Sequence, residues 1–190
     1  MKKLKQGFIL AGGQSSRFGT DKGTFVLEGK KFIENSVRVL TPFVEKITIL
    51  TNKPEKYSFL NLPTLQDKIK DIGPIGGLFT ALSETESEWN LFLPCDSPFL
   101  TEKPIQKLLE NLDSKKQLIF PSTNDKVFPL TAIFNKSALA KIEQQIFVKN
   151  YRIRSLLETL DCMKVDCEEF KNEFANINSK EDLWEFQKKK

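Results

Sequence analysis

Segment 10–22 of the chain combines the residue types that bind phosphate groups. It reads Leu10-Ala11-Gly12-Gly13-Gln14-Ser15-Ser16-Arg17-Phe18-Gly19-Thr20-Asp21-Lys22. Glycines let the backbone turn sharply near a ligand, and successive amides can form an anion-binding concavity. Arg17 and Lys22 add positive charge for phosphate oxygens. The spacing is neither that of a Walker A loop nor that of a dinucleotide fingerprint, and a glycine-rich surface turn with solvated cations is the alternative.

A carboxylate follows a strongly apolar run later in the chain. Residues 89–94 are predicted to form a buried strand, and Asp96 comes just after it, before Pro98. A carboxylate in that place can hold Mg²⁺ against triphosphate oxygens, and magnesium is favoured because the candidate ligands are oxygen atoms. The alternative is an aspartate that opens a turn before the proline. Cys95 is interpreted as a small buried residue and not as a nucleophile.

The composition excludes several chemistries. The 190 residues include no histidine, which excludes a Ser-His-Asp triad, a zinc site with histidine ligands and an imidazole general base. The net charge of +4 lies on scattered lysines, so it favours anionic substrates and does not indicate nucleic-acid binding. Three cysteines without a CxxC pair favour a reducing cytoplasm. No run approaches the roughly 20 apolar residues that span a membrane.

Strand and helix patterns alternate along the chain, most regularly within residues 1–100. Strands are predicted at 6–11, 46–51, 63–66, 89–94, 117–121 and 128–134, with a short extended piece at 24–31. Helices are predicted from 32 to 40, from the turn at 71–77 to Ser83, from the N-cap Thr101 to Leu112, and at 136–147, 151–160 and 180–188. The pattern predicts an α/β fold, with a mostly parallel twisted sheet, helices on both faces and a less regular C-terminal half. Such sheets bind ligands at the carboxyl ends of their strands.

Segment 10–22 also resembles the signature of a known enzyme family. It matches the pattern L-A-G-G-x-x-x-R-x-G-x-x-K of nucleotidyltransferases with a Rossmann-like fold. Its short spacing and its Asp-Lys ending resemble the molybdenum cofactor guanylyltransferase family, in which Met usually stands at the position of Phe18. The run Pro-Cys-Asp-Ser-Pro at 94–98 is similar to that family's second motif. The resemblance extends from residue 8 to residue 187.

Three further segments resemble the same family. Residues 73–77 resemble its G-P-L-A-G turn, residues 150–156 its basic G-x-R-x-L-R stretch, and residues 174–183 its terminal F-x-N-I-N-T-P-E-D-L. The resemblance also implies that Asn52 and Asp67 lie around the base and ribose. Guanine offers N–H donors, so an amide or carboxylate oxygen could select it. For both residues an ordinary turn former is the alternative.

The resemblance implies a complete set of functional assignments. The chain is expected to be one nucleotidyltransferase domain, 1–190, with a nucleotide-binding half at 1–100 and an acceptor-binding half at 101–190. It is expected to transfer GMP from GTP to molybdopterin-bound molybdenum cofactor, with Mg²⁺ as its cofactor and release of pyrophosphate. The implied catalytic residues are Lys22, Arg17 and Asp96, the last also being the metal ligand. The implied nucleotide-binding residues are Leu10, Ala11, Gly12, Gly13, Lys22, Asn52, Asp67 and Asp96. The implied acceptor-binding residues are Gly76, Gly77, Arg152, Arg154, Asn176 and Asn178.

Two other functions stay open at this level. A sister enzyme would transfer a cytidylyl or other nucleotidyl group to a different phosphorylated acceptor, but the paired amides of Asn176 and Asn178 argue against it. A nucleotide-binding regulator without activity is opposed by the presence of both Lys22 and Asp96. Phe128 stands where family members often have His, which implies a somewhat different acceptor contact. Other proteins of cofactor biosynthesis are expected partners.

Overall fold

Nine β-strands and five α-helices are present in the computed structural model, which describes residues 3–12, 22–27 and 29–175, with Lys22 described by its backbone alone. The strands are β1 (Leu4–Leu10), β2 (Val26–Leu27), β3 (Lys30–Lys31), β4 (Val44–Leu50), β5 (Thr64–Leu65), β6 (Trp89–Pro94), β7 (Leu118–Ser122), β8 (Ala132–Asn135) and β9 (Cys162–Asp166). The helices are α1 (Phe32–Leu40), α2 (Pro74–Glu84), α3 (Glu102–Glu110), α4 (Leu139–Phe147) and α5 (Ile153–Thr159). Short 3₁₀ segments lie at Lys22–Thr24, Pro54–Leu60, Lys136–Ala138 and Glu168–Phe174. Within these ranges, no helix combines the length and the apolar character needed to cross a membrane.

Seven of the strands form one sheet in the order β5-β4-β1-β6-β8-β7-β9. The pairs β5–β4, β4–β1, β1–β6 and β7–β9 are parallel, whereas the two pairs that include β8 are antiparallel. The prediction of a mostly parallel sheet is therefore confirmed. Strands β2 and β3 form a separate antiparallel pair just before α1.

Helices cover both faces of the sheet because successive side chains of a strand point to opposite faces. On one face, Ile9 and Leu91 pack in the core that includes residues of α1 and α3. On the other face, Phe8 and Phe92 pack in the core that includes residues of α2, α4 and α5. The rings of Phe8 and Phe92 are stacked with their centroids 5.0 Å apart. The two-sided arrangement predicted from the alternating elements is confirmed.

The second half of the chain departs from the predicted elements in several places. The strand predicted at 128–134 begins at Ala132, because the Thr131 N–H bonds to the Phe128 carbonyl in a turn (3.1 Å) and Pro129 has no N–H for a ladder. Strand β9 was not predicted, since only Val165 of its five residues is buried and its parallel partner β7 is distant in sequence. The predicted helix at 136–147 is a 3₁₀ turn followed by α4, and α3 ends at Glu110 instead of Leu112. The helix predicted at 180–188 lies outside the described residues.

Candidate active site

Four parallel strands end at one level of the sheet. Leu10 of β1 lies opposite Leu50 of β4 and Pro94 of β6, and Leu50 lies opposite Leu65 of β5. The ladder continues one residue beyond this row through three backbone hydrogen bonds: Ala11 to Leu50 (2.9 Å), Thr51 to Leu65 (2.9 Å) and Cys95 to Leu10 (3.1 Å). The segments that follow these four strands therefore leave the sheet side by side at its carboxyl edge, where α/β folds bind ligands.

In each of these four segments, the second residue after the strand is one of the site residues predicted from the sequence. These residues are Gly12, Asn52, Asp67 and Asp96, each two positions beyond the shared row. Gly12 and Asn52 are exposed, whereas Asp67 and Asp96 are half-buried. The register of the sheet thus places a glycine, an amide and two carboxylates at the same edge.

Asn52 and Asp67 are joined by two reciprocal hydrogen bonds. The Asn52 Nδ2 donates to Asp67 Oδ2 (2.9 Å), and the Asp67 backbone N–H donates to Asn52 Oδ1 (3.0 Å). Each bond fixes one end of the Asn52 amide, so its orientation is determined. The pair presents carboxylate and amide oxygens from a single rigid unit.

Two glycines flank the Asp67 carboxylate. A Cβ added to Gly12 would lie 3.8 Å from Asp67 Oδ2, and one added to Gly77 would lie 3.7 Å from Asp67 Oδ1 and 3.0 Å from Leu10 Cδ2. Gly76 packs more tightly still, because an added Cβ would come within 2.8 Å of the Ile69 carbonyl oxygen. Glycine at position 76 therefore allows the start of α2 to pack on the Ile69 carbonyl, and Gly77 packs closely on Leu10 and lies beside Asp67, contacts that the sequence motif alone did not reveal.

Asp67→Asn is expected to stabilise the ligand-free protein at neutral pH. Burial raises the pKa of the Asp67 carboxyl above its ordinary value; the Asn52 hydrogen bond opposes this shift and the charge of Asp71 adds to it. Because the folded-state pKa is the higher one, this carboxyl's contribution to stability is full below its ordinary pKa and is lost as the pH rises through the raised value. An asparagine stays neutral and can still accept from Asn52, so it avoids that loss.

The measurement is thermal unfolding of both proteins at neutral pH and near the ordinary pKa of aspartate, about 3.9. The gain in Tm should be larger at neutral pH and should shrink in acid. If Asp67→Asn instead lowers Tm equally at both pH values, the hydrogen bond from Asn52 outweighs the effect of burial.

Helix α1 fixes the loop that carries Asp96. The Ser36 hydroxyl donates to the Pro94 carbonyl (2.9 Å), and Asn35 Nδ2 donates to the carbonyls of Ser97 and Leu100 (3.0 Å each). Ser36 is a polar residue, yet it is buried on the apolar side of this amphipathic helix. The adjacent polar pair Asn35-Ser36 was the signal for this role, and sequence analysis did not use it.

The described residues contain no cluster of three or more acidic or cysteine side chains that could hold a metal ion by themselves. Asp96 offers one half-buried carboxylate at the edge of the sheet. Mg²⁺ in phosphate-transfer sites is commonly bound through one or two carboxylates together with substrate phosphates. The donor set fits an ion that is shared with a triphosphate, and not a cage made of protein ligands alone.

The backbone next to Lys22 packs against a buried tyrosine. Gly23 is buried, and a Cβ at this position would lie 2.7 Å from Tyr57 Oη. Tyr57 is 0% exposed and belongs to the 3₁₀ segment that follows Asn52 in the chain. Sequence analysis missed Tyr57, for which the glycine directly after Lys22 was the available signal. Gly13, Arg17 and the Lys22 side chain lie outside the described structure.

The residues assigned to the acceptor are only partly described. Arg152 and Arg154 are exposed at the beginning of α5, and Gln145 Nε2 of α4 donates to the Arg152 carbonyl (2.8 Å). Phe128 stacks on Phe174, with ring centroids 4.5 Å apart and an interplanar angle of 16°. The position where family members often have His therefore contacts the segment that precedes Asn176. Asn176 and Asn178 themselves lie beyond the last described residue.

Comparison with known proteins gives a consistent result. Residues 7–164 match the family model of the MobA-like NTP transferase domain. The chain is 33% identical over 177 residues to a probable molybdenum cofactor guanylyltransferase of Flavobacterium johnsoniae, covering 93% of both chains. It is 33% identical over 184 residues to the protein of the same name from Aquifex aeolicus, covering 96% of this chain and 90% of that protein. The fold matches the crystal structure of molybdopterin-guanine dinucleotide biosynthesis protein A from Archaeoglobus fulgidus, with a TM-score of 0.80, 24% identity and coverage of 96% and 97%.

Proposed function

The chain belongs to the MobA-like NTP transferase family, and from this premise we propose that it transfers GMP from GTP to the phosphate of molybdopterin-bound molybdenum cofactor. The observation that carries the proposal is the common row of Gly12, Asn52, Asp67 and Asp96 at the carboxyl edge of the sheet. One ligand that lies along this row can contact a glycine-rich phosphate loop, an amide–carboxylate pair and a metal-binding carboxylate. A nucleoside triphosphate has a complementary group for each of them.

Base selection is assigned to the Asn52–Asp67 pair. Guanine presents N1–H and N2–H₂ donors, and the Asp67 carboxylate is held as an acceptor by the amide of Asn52. Gly12 and Gly77 leave space on either side of that carboxylate. A half-buried carboxylate with acceptor capacity left over favours a base that presents N–H donors over a base that lacks them.

The chemical step rests on positioning and on neutralisation of charge. The acceptor phosphate oxygen forms a bond to the α-phosphorus, and the bond between that phosphorus and the pyrophosphate oxygen breaks on the opposite side. A phosphate monoester has its second pKa near ~6 and is largely dianionic at neutral pH, so no general base is needed in a chain without histidine. Lys22 and Arg17 neutralise the triphosphate, and the amides of Gly12 and Gly13 hold its oxygens. Leu10 and Ala11 bring the loop to the nucleotide from the end of β1, where the Ala11 N–H is itself bonded to the Leu50 carbonyl.

Asp96 is assigned as the magnesium ligand. Mg²⁺, when bound, supplies positive charge to the triphosphate oxygens. The role of Asp96 is to offer its carboxylate from a loop that Asn35 and Ser36 of α1 hold in place.

The acceptor is assigned to the other half of the chain. Arg152 and Arg154 provide charge for its phosphate, and Asn176 and Asn178 provide amides that can hydrogen-bond the pterin or its phosphate. Gly76 and Gly77 bring the backbone of α2 close to the junction of the two substrates. We assign residues 1–100 as the nucleotide-binding half and residues 101–190 as the acceptor-binding half of one domain. We place the protein in the cytoplasm, where other cofactor-biosynthesis proteins would deliver the acceptor.

GTP with Mg²⁺ is expected to raise the Tm of this protein more than ATP, CTP or UTP. A ligand that binds only the folded state at a hundredfold excess over its Kd stabilises that state by ~2.7 kcal/mol. Thermal unfolding with each nucleotide, followed by an assay of pyrophosphate release with molybdopterin, tests the proposal. A larger shift with CTP would assign the chain to a cytidylyltransferase. Stabilisation by GTP without pyrophosphate release would indicate a regulator.

A further inference from the structure

The connection between α4 and α5 exposes a group of large apolar side chains. Phe147, the last residue of α4, is 87% exposed, Val148 is 63% exposed and Tyr151 is 38% exposed. Single apolar side chains are common on protein surfaces, whereas several that lie together mark a surface that another molecule covers. We call the segment 147–151 the apolar connection.

The backbone of the apolar connection is held by hydrogen bonds. The Lys149 N–H donates to the Ile146 carbonyl (2.9 Å). The Asn150 N–H donates to the Gln145 carbonyl (3.0 Å), which completes a Schellman cap at the end of α4. Gln145 Nε2 donates to the Arg152 carbonyl (2.8 Å) and fixes the far side of the connection. The apolar side chains are therefore exposed from a preorganised frame, which lowers the entropic cost of binding.

Two features of this frame cost stability. Lys149 has a φ of 57°, in the left-handed region where glycine is the usual residue of such a cap. Gln145 Oε1 is buried and has no hydrogen-bond partner among the residues that the structure describes. Costs of this kind are typical of binding surfaces, because binding requires a geometry that folding alone does not favour.

The charged residues around the apolar connection are all positive. Between Gln144 and Leu157 they are Lys149, Arg152 and Arg154, and all three are exposed. None of them forms an ion pair within the described part of the chain. A second copy of this protein would bring like charges together at such a surface. The surface therefore fits a partner that carries carboxylates beside an apolar cleft.

The topology of the sheet places the apolar connection on the side of the candidate active site. Helix α4 begins after β8 ends at Asn135, opposite Trp89 at the amino end of β6. Helix α5 ends just before Asp161, whose carbonyl accepts from the Gln117 N–H at the amino end of β7 (2.8 Å). Both helices pack on one face of the sheet, so the segment that joins their other ends lies toward the carboxyl edge. Helix α4 also packs against α2, which begins at that edge.

We propose that the apolar connection is a docking surface for the protein that supplies the molybdenum-loaded acceptor. The inference rests on the proposed function, which requires a preceding reaction that inserts molybdenum into molybdopterin. Phe147 and Val148 enter an apolar cleft of the enzyme that carries out this insertion, and its carboxylates face Lys149. An enzyme that docks here holds its product near Arg152, which the proposed function assigns to the acceptor phosphate.

The test compares two sources of the acceptor. One is free molybdenum-loaded molybdopterin, and the other is the same compound bound to the purified enzyme that loads it, taken from the same organism. Phe147→Ser is expected to lower kcat/KM for the protein-bound acceptor at least about tenfold, the usual effect of removing an aromatic anchor from an interface. With the free acceptor, kcat and KM should stay within about twofold of the parent. The Tm should be unchanged, because this side chain is exposed in the folded protein.

The chain offers a matched pair of valines as a control. Val148 and Val26 are exposed to a similar extent, 63% and 53%, but Val26 lies in β2, outside the seven-stranded sheet. Val148→Ser should lower kcat/KM for the protein-bound acceptor about threefold or more, and Val26→Ser should not.

Lys149→Gly separates the docking role from stability. Glycine adopts the left-handed conformation without strain, so the Tm should rise by about 2–4 °C. The lost charge should lower kcat/KM for the protein-bound acceptor at low salt, and less at high salt. A variant that is more stable and yet uses one source of acceptor less well does not owe this defect to a loss of fold.

Equal losses with the two sources of acceptor in Phe147→Ser would overturn the inference in favour of a direct substrate contact. Unchanged use of the protein-bound acceptor would overturn it as well. With that result, binding of the parent but not of Phe147→Ser to vesicles of phosphatidylglycerol and phosphatidylcholine would assign the surface to a membrane. A dimer that Phe147→Ser dissociates would assign it to a second copy. These results differ from failure of the proposed function, in which the wild-type protein would form no guanylated product from GTP and the free acceptor.

Discussion

Asp96→Asn is expected to reduce Mg²⁺-dependent turnover by about 10³-fold, the upper end of the effect of removing one preorganised electrostatic contact. The substitution keeps the size of the side chain and replaces a charged oxygen ligand with a neutral amide, which is a poorer ligand for a hard cation. The loop around it is held by Ser36 and Asn35, whose acceptors are backbone carbonyls and are unaffected by the change. The variant should therefore keep the fold and the Tm of the parent while it loses activity.

The measurement is the initial rate of pyrophosphate release over a titration with Mg²⁺. Asp113→Asn is the matched control, because Asp113 is a true turn former whose Oδ1 accepts from the Lys115 N–H (3.0 Å). Asp113→Asn should change Tm slightly and leave the rate unchanged. If Asp96→Asn shows normal activity at low Mg²⁺, Asp96 shapes its turn as Asp113 does, and the metal ligand must be sought elsewhere.

The edge of the sheet that carries the candidate site was predictable from sequence. The buried runs at 6–11, 46–51 and 89–94 predict parallel strands, and parallel strands bring the residues after them to one edge. The structure confirms this arrangement, since Leu10, Leu50 and Pro94, which end the observed strands, are in register. The assignment of individual roles at that edge depended on the family resemblance, and those roles stay predictions.

The contacts that support the site were not predictable in the same way. Thr101 and Glu173 are bonded across much of the chain, and neither has a local pattern that reveals the partner of the other. Strand β9, which precedes Glu173, was missed for the same reason: its pairing with β7 joins segments distant in sequence. Local periodicity reports which face of an element is buried, but not which distant element covers it.

The contact between Tyr57 and Gly23 is another example, and it determines what can be expected of a substitution at the neighbouring Lys22. The Tyr57 side chain is fully buried and its hydroxyl lies where a side chain on Gly23 would begin. The backbone beside Lys22 is thereby attached to the same connection that follows Asn52. A glycine after the signature lysine looks in sequence like ordinary loop composition, whereas in the structure it permits the close approach of a tyrosine.

Lys22→Ala is expected to reduce kcat by about 10²–10³, the usual loss when one preorganised charge partner of a transition state is removed. The fold should be retained, because the neighbouring Gly23 and Tyr57 hold the backbone of this segment by a contact that does not use the lysine side chain. Initial rates at saturating GTP and acceptor, with circular dichroism to confirm folding, measure the effect.

Lys53→Ala separates a specific role of Lys22 from the diffuse positive charge of the protein. Lys53 is exposed and follows Asn52 directly, so its removal takes one positive charge from the same edge of the sheet. A diffuse attraction of the anionic substrates is screened by salt, with a Debye length of about 8 Å at physiological ionic strength, whereas a contact with the transferred phosphate is not. Lys53→Ala should thus change the rate by no more than about twofold, and only at low salt. If both variants lose the same fraction of the rate and both losses vanish at high salt, Lys22 acts by attracting the substrates. If Lys22→Ala keeps a rate within a few-fold of the parent, Lys22 takes no part in the chemical step.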